Sequence, residues 1–212
     1  MTNSYVTRAS GLVLLIGAAA FSVHVLARSL LSAGAPDLAA SVRQPLWVPV
    51  NALGALGAAL VLLGLPAVHA RIAAALGRLG LAGVVLIAVG LMFSGLFLSL
   101  FSALIAPWLA DEAPSLLVGA PPAFVATLLV ALVAEIVGAV LLAIPFVRGH
   151  AGSAWVGPVL LAAAGMVVVG NVLAPKGPSS NVAVNLLSNA GPVLLMVALG
   201  ALGWQARFER SA

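Results

Sequence analysis

Glu135 is the residue of this sequence with the clearest chemical potential, because it is the one carboxylate inside a long apolar stretch. Its neighbours on both sides, Val133-Ala134 and Ile136-Val137, are apolar. An ionised side chain at the centre of a bilayer costs about 3 kcal/mol on insertion scales, so Glu135 needs a partner or must keep its proton. Two interpretations stay open: a group that takes up a proton or binds a cation, and a neutral acid hydrogen-bonded to a neighbouring helix.

His24 and Arg28 form a second pair, because a spacing of four residues puts both on one face of a helix. An arginine near a helix end can extend its side chain to the lipid headgroups, which would give Arg28 a purely structural role. His24 lies nearer the centre of its apolar stretch and cannot easily do the same. A histidine there is either part of a proton relay or a structural residue with satisfied hydrogen bonds.

Asparagine amides complete the candidate site. They lie near the predicted outer ends of apolar stretches: Asn51, Asn171, Asn181, Asn185 and Asn189. In the topology given below they share the external half of the membrane with His24 and Arg28. The set predicts an outward-facing polar pocket with Glu135 at its floor. The predicted ligand or proton site comprises Glu135, His24, Arg28, Asn51, Asn171, Asn185 and Asn189. The alternative is that the amides only bond helices together, which is the commoner use of asparagine in membranes.

The composition of the chain indicates the class of protein in which these residues lie. The chain has 212 residues, of which 63% are hydrophobic and 7% are charged. Soluble domains carry about 25% charged residues, so the sequence indicates an integral membrane protein. The length suits a single transmembrane domain covering residues 1–212. There is no cysteine, which excludes disulfides, thiolate metal sites and cysteine nucleophiles.

Six apolar stretches predict an all-α, polytopic transmembrane helix bundle. Each meets the requirement of about 20 residues for a helix that crosses the hydrocarbon core. The predicted spans are about 10–32, 46–68, 79–109, 123–147, 154–174 and 182–205. Tryptophan prefers the membrane interface, and each tryptophan falls at a predicted span end: Trp47, Trp108, Trp155 and Trp204.

The distribution of basic residues predicts the orientation. With six spans, both termini lie on one side, together with Arg8, Arg71, Arg78, Arg148, Arg207 and Arg210. The other side carries Arg28, Arg43 and Lys176. Because cytoplasmic loops are enriched in Lys and Arg, we expect both termini in the cytoplasm. The net charge of +4 is therefore explained by topology, and we expect no nucleic-acid partner.

No metal or cofactor site is expected. His69 and His150 fall at predicted cytoplasmic ends while His24 lies in the outer half, so the three cannot share a metal. The stretch from Val48 to Gly83, VPVNALGALGAALVLLGLPAVHARIAAALGRLGLAG, and the opening Thr7–Leu12, TRASGL, resemble small multi-pass bacterial membrane proteins of domain-of-unknown-function family 4386. The resemblance implies the membrane class and carries no activity or site residues.

Three classes of function remain open at this stage. The first is a small transporter or ligand-binding membrane protein that uses the outward pocket. The second is a membrane scaffold or accessory subunit in which the polar groups only bond helices. The third is an intramembrane lipid-modifying enzyme with Glu135 as acid or base. It is the least favoured, because one carboxylate without a clear partner supplies too few groups for catalysis. The expected partner is the lipid bilayer, with a small-molecule or lipid ligand, and the oligomeric state is open.

Overall fold

The chain folds into helices. A computed structural model describes residues 4–33, 35–117, 121–149, 153–172 and 182–208, and these contain no strand. The helices are α1 (Ser4–Ser32), α2 (Leu38–Val42), α3 (Trp47–Leu91), α4 (Leu98–Leu100), α5 (Ala106–Glu112), α6 (Pro122–Val147), α7 (Val156–Val172), α8 (Val182–Ser188) and α9 (Ala190–Phe208). The all-α prediction is confirmed.

Five helical stretches are long and apolar enough to cross a membrane, which indicates a membrane helix bundle. They are Arg8–Ser32, Trp47–Pro66, Ala75–Glu112, Pro114–Val147 and Ala190–Phe208, and the fourth includes residues 118–120 outside the described part. The predicted span 154–174 corresponds to α7, which has 17 residues, while residues 173 and 174 lie outside the described part. At about 1.5 Å per residue α7 is slightly shorter than a bilayer core of about 30 Å. The predicted count of six spans is therefore not confirmed.

The second and third predicted spans belong to one helical element that reverses at a glycine. Inside α3, Gly77 has φ 59° and ψ −163°, a conformation that essentially only glycine adopts. We call residues 47–76 the first limb of α3 and residues 78–91 its second limb. A Cβ on Gly77 would meet nothing within 4 Å. This glycine is therefore required by its backbone conformation and not by close packing.

The second limb continues through two π-helical turns. Met92–Phe97 and Phe101–Ile105 are both π-helical, with α4 between them and α5 after them. Such widened turns are rare and occur frequently at functional sites. The carbonyl of Ser102, in the second of them, accepts a hydrogen bond of 2.8 Å from Trp47 Nε1. A side chain thus bonds a carbonyl of the irregular stretch, as expected for a helix that departs from regular geometry inside a membrane.

The helices form a closed ring. α1 packs between α3 and α9, α9 packs on α7, α7 packs on α6, and α6 packs on α3. Glycine pairs bring the backbones together: a Cβ on Gly17 would lie 2.9 Å from the Gly57 carbonyl oxygen, and one on Gly83 would lie 2.8 Å from that of Gly138. These contacts place α1 on the first limb and α6 on the second. Close approach at small residues is the main source of helix association in lipid.

Candidate functional site

A cavity of about 520 Å³ lies inside the ring. Its wall includes residues of α1, α6, α7 and α8 and of the first π-helical turn. Six of the seven predicted site residues line it: Glu135, His24, Arg28, Asn171, Asn185 and Asn189. Helices distant in sequence therefore bring these polar side chains to one cavity.

Glu135 lies on α6, and its side chain packs against the helix that faces α6. Its side chain is 6% exposed, and its Oε1 accepts a hydrogen bond from the hydroxyl of Ser94. Gly90, one turn before Ser94, allows the close approach, because a Cβ there would overlap the Glu135 side chain. Ser94 belongs to the first π-helical turn and also lines the cavity. Ser94 is not among the predicted site residues; its spacing of four from Gly90, which puts both on one helix face, is the signal that could have found it.

His24 is fixed in one orientation by the backbone of the first limb. Its Nδ1 lies 2.9 Å from the carbonyl oxygen of Val50, and its side chain is 3% exposed. Because a carbonyl can only accept, Nδ1 carries the hydrogen, and Nε2 of a neutral ring is left as an acceptor. Gly54 makes room for the ring, since a Cβ there would lie 2.5 Å from His24 Cγ. The geometry leaves one imidazole nitrogen available for a ligand or a proton.

Arg28 extends from the same face of α1, one turn after His24. Its Cζ lies 5.4 Å from the centroid of the Trp47 ring, which is the geometry of a cation–π contact. Trp47 lies at the start of the first limb, at the span end predicted for it; it is 1% exposed, and its indole N–H donates to the Ser102 carbonyl. Arg28 thus lines the cavity beside a buried indole.

The asparagines of the cavity are anchored to helix carbonyls. Asn171 Nδ2 donates to the carbonyl of Val167, and Asn189 Nδ2 donates to that of Asn185, each at 2.8 Å. Asn185 Nδ2 reaches across to the carbonyl of Ser29 on α1 at 3.5 Å. Anchored amides of this kind present polar groups in a fixed geometry. Asn181 lies outside the described residues.

Asn51 is not part of the cavity. Its side chain is fully buried and its Nδ2 donates to the carbonyl of Trp47, one turn earlier in the same limb. Its Oδ1 has no hydrogen-bond partner among the described residues. An asparagine can satisfy its amide on its own helix, and Asn51 does so as Asn171 and Asn189 do, but Asn51 does not line the cavity.

The charges of the cavity are not paired with each other. Within the described residues the one ion pair joins Arg43 Nε and Asp111 Oδ1, at 3.4 Å on the exposed surface. Arg28 and Glu135 therefore face the same cavity as separate charged or polar groups. No three His, Asp or Glu side chains of the described part lie close enough together to hold a metal ion, and His150 is outside that part.

Comparisons of the chain with known protein families, with well-characterised proteins and with solved structures find no significant match in any of the three. The resemblance to domain-of-unknown-function family 4386 stays a prediction. The function must therefore be argued from the cavity itself.

Proposed function

We propose that this chain is a bacterial inner-membrane protein of six transmembrane helices that binds a small ligand in an outward-facing cavity and transports it. In this proposal both termini are cytoplasmic, and α7 supplies the sixth crossing. Glu135 takes up a proton or a cation. The ligand is surrounded by His24, Arg28, Asn171, Asn185 and Asn189.

The observation that carries the proposal is the convergence of polar side chains on one cavity. Amides that only bond helices together need no open space between the helices, whereas these residues line a cavity of about 520 Å³. Ligand pockets typically measure about 300–1,000 Å³ and combine apolar surface with placed polar groups. The wall here has both, because Phe21, Leu195 and Met196 line it together with the polar residues.

The position of Glu135 supports a role in proton or cation uptake. Ionisable residues inside membrane helices are costly and commonly mark ion and proton pathways. Ser94 occupies one carboxyl oxygen, and within the described residues no cation pairs with the other. A carboxyl group in that setting can exchange a proton with the cavity. One carboxylate and one serine supply too few groups for an acid–base reaction on a lipid, which disfavours an enzyme.

Native mass spectrometry of the detergent-purified protein tests this function. The parent chain is expected to carry a small co-purifying molecule, and a folded Glu135→Gln variant is expected to lose it or hold it at least about tenfold more weakly, which corresponds to about 1.4 kcal/mol. Gln keeps the size of the side chain and removes its titration.

Thr127→Ala is the matched control on the same helix. Thr127 is exposed and its hydroxyl bonds only to the carbonyl of Ala123, so this variant is expected to keep the bound molecule. Bare protein in all three spectra would contradict the proposal and favour a scaffold in which the polar groups only join helices.

A further inference from the structure

Arg28 is a cationic side chain on the cavity wall without an anionic partner. The chain has five acidic residues, and four of them lie in the described part. Of these four, Asp111 pairs with Arg43, Asp37 accepts from the backbone N–H of Ala40, Glu135 accepts from Ser94, and Glu112 is exposed. The fifth, Glu209, lies outside the described residues. No acidic side chain of the described residues neutralises Arg28.

The donors of the guanidinium group are also unused. The stacking of Arg28 on Trp47 orients the guanidinium plane but consumes none of its five N–H donors. Within the described residues Arg28 makes neither a hydrogen bond nor an ion pair. Arg28 is half-buried on the cavity wall, so an anion entering the cavity can reach its guanidinium group and offset its partial desolvation. A planar fork of donors fits a carboxylate or phosphate group in a bidentate geometry.

We propose that the cavity binds an organic anion whose carboxylate or phosphate group pairs with Arg28. The proposal rests on the proposed function and names the chemical class of its ligand. Asn185 and Ser29, which adjoin Arg28 in the wall, lie beside the anionic group. His24, one turn away, offers Nε2 to a hydroxyl or another donor of the same ligand.

The ligand also has an apolar part. The cavity wall includes Leu91, Leu195 and Met196, whose side chains are buried. A second, shallower groove of about 320 Å³ on α1 and α9 shares Met196 with the cavity. An anion with a hydrocarbon part fits this arrangement, because its anionic group can pair with Arg28 while its hydrocarbon part contacts the apolar residues of the wall. Such a molecule is either a free organic acid or an anionic lipid.

Titration with three probes that have the same alkyl chain but different head groups tests whether the cavity prefers an anion. Octanoate, octylamine and octanol are added separately to the full-length protein in phosphatidylcholine nanodiscs. The reporter is Trp47, made the sole tryptophan by replacing the exposed residues Trp108, Trp155 and Trp204 with Phe. Because Trp47 stacks on Arg28, an anion at Arg28 is expected to change its fluorescence saturably. Octanoate is expected to bind at least about tenfold more tightly than the other two.

Variants of Arg28 separate the anion site from a structural role. Arg28→Gln is expected to weaken octanoate binding about tenfold or more, measured by fluorescence and by calorimetry, and Arg28→Lys by a smaller factor, because Lys keeps the charge without the fork. Arg43→Gln is the matched control, since Arg43 is exposed and paired with Asp111. Without ligand, Arg28→Gln is expected to leave the unfolding temperature unchanged or raised. A large fall in that temperature would overturn the inference and indicate a structural arginine.

The source of the anion is decided by repeating the titration with lipid. Octanoate binding in phosphatidylcholine nanodiscs that phosphatidylglycerol does not compete away indicates a free acid. If phosphatidylglycerol displaces octanoate from the parent protein but not from Arg28→Gln, the anion is a lipid headgroup. Equal affinity for octanol and octanoate, or unchanged octanoate affinity in Arg28→Gln, would overturn the anion while leaving the ligand-binding function intact. No response to any probe or lipid, together with bare native mass spectra, would overturn both.

Discussion

At the scale of single residues, the geometry of His24 depends on the absence of a side chain at Gly54. A Cβ at position 54 would lie 2.5 Å from Cγ and 2.6 Å from Nδ1 of His24. We expect Gly54→Ala to push the ring away from the Val50 carbonyl and to lower the free energy of unfolding by about 1–3 kcal/mol, the usual cost of overpacking. Thermal unfolding in bicelles measures the change.

The matched control for this substitution is Gly165→Ala in α7. A Cβ on Gly165 would meet nothing within 4 Å, so the added methyl group has space. Because Ala is a better helix former than Gly by about 1 kcal/mol, this variant is expected to be neutral or slightly stabilised. Equal effects of the two substitutions would mean that the contact between Gly54 and His24 does not constrain the ring.

The sequence identifies some of the candidate site residues better than others, for physical reasons. His24, Arg28 and Glu135 stand out because ionisable groups are costly in apolar stretches. Ser94 does not, because a serine in a membrane helix has the same signature whether it packs or donates to a carboxyl group. Asn51 has the same local bond to its own helix as Asn171 and Asn189, so neither hydropathy nor spacing tells which of these amides lines the cavity.

At the scale of elements, the reversal at Gly77 is a backbone requirement. With φ 59° and ψ −163° it lies in a region that other residues enter at a cost of about 1–3 kcal/mol. We expect Gly77→Ala to reduce the unfolding free energy by that amount, although the space around the position is open. Gly77→Asn is expected to cost as much, because Asn tolerates the left-handed helical region and not this one. Chemical denaturation of the bicelle-embedded protein measures both variants.

A result in which either Gly77 variant unfolds like the parent would contradict a strained reversal. Gly165→Ala again serves as control, because Gly165 lies inside α7 and its added Cβ has open space. The comparison separates a backbone effect from a loss of packing.

Helix positions follow closely from hydropathy, whereas helix connections do not. α6, observed over Pro122–Val147, lies within one residue of its predicted range because apolar length and flanking proline mark it plainly. The predicted spans 46–68 and 79–109 leave residues 69–78 between them, yet the chain there is helical up to Gly77. The π-helical turns at Met92–Phe97 and Phe101–Ile105 also have no hydropathy signature, because they alter the backbone spacing and not the composition.

At the scale of the whole molecule, the ring explains how a small chain can enclose a cavity. Large apolar side chains such as Leu63, at 70% exposed, and Val130, at 67%, point outward, as a lipid-facing surface requires. Glycine contacts such as those of Gly17 and Gly83 draw neighbouring helices together around the ring. A core of buried apolar residues from α1, α3, α6, α7 and α9 fills part of the interior, and the polar groups line the space that remains.

The orientation of this ring can be tested by cysteine labelling, and α7 decides the outcome. The chain contains no cysteine, so a maleimide labels only the cysteine that is introduced. In the six-span topology Arg148, before α7, is cytoplasmic, and Lys176, after it, is external. In intact cells a membrane-impermeant maleimide is expected to label Lys176→Cys, whereas Arg148→Cys is labelled only after permeabilisation. Labelling of both from the same side would mean that α7, with its 17 residues, does not cross, and that the two termini lie on opposite sides of the membrane.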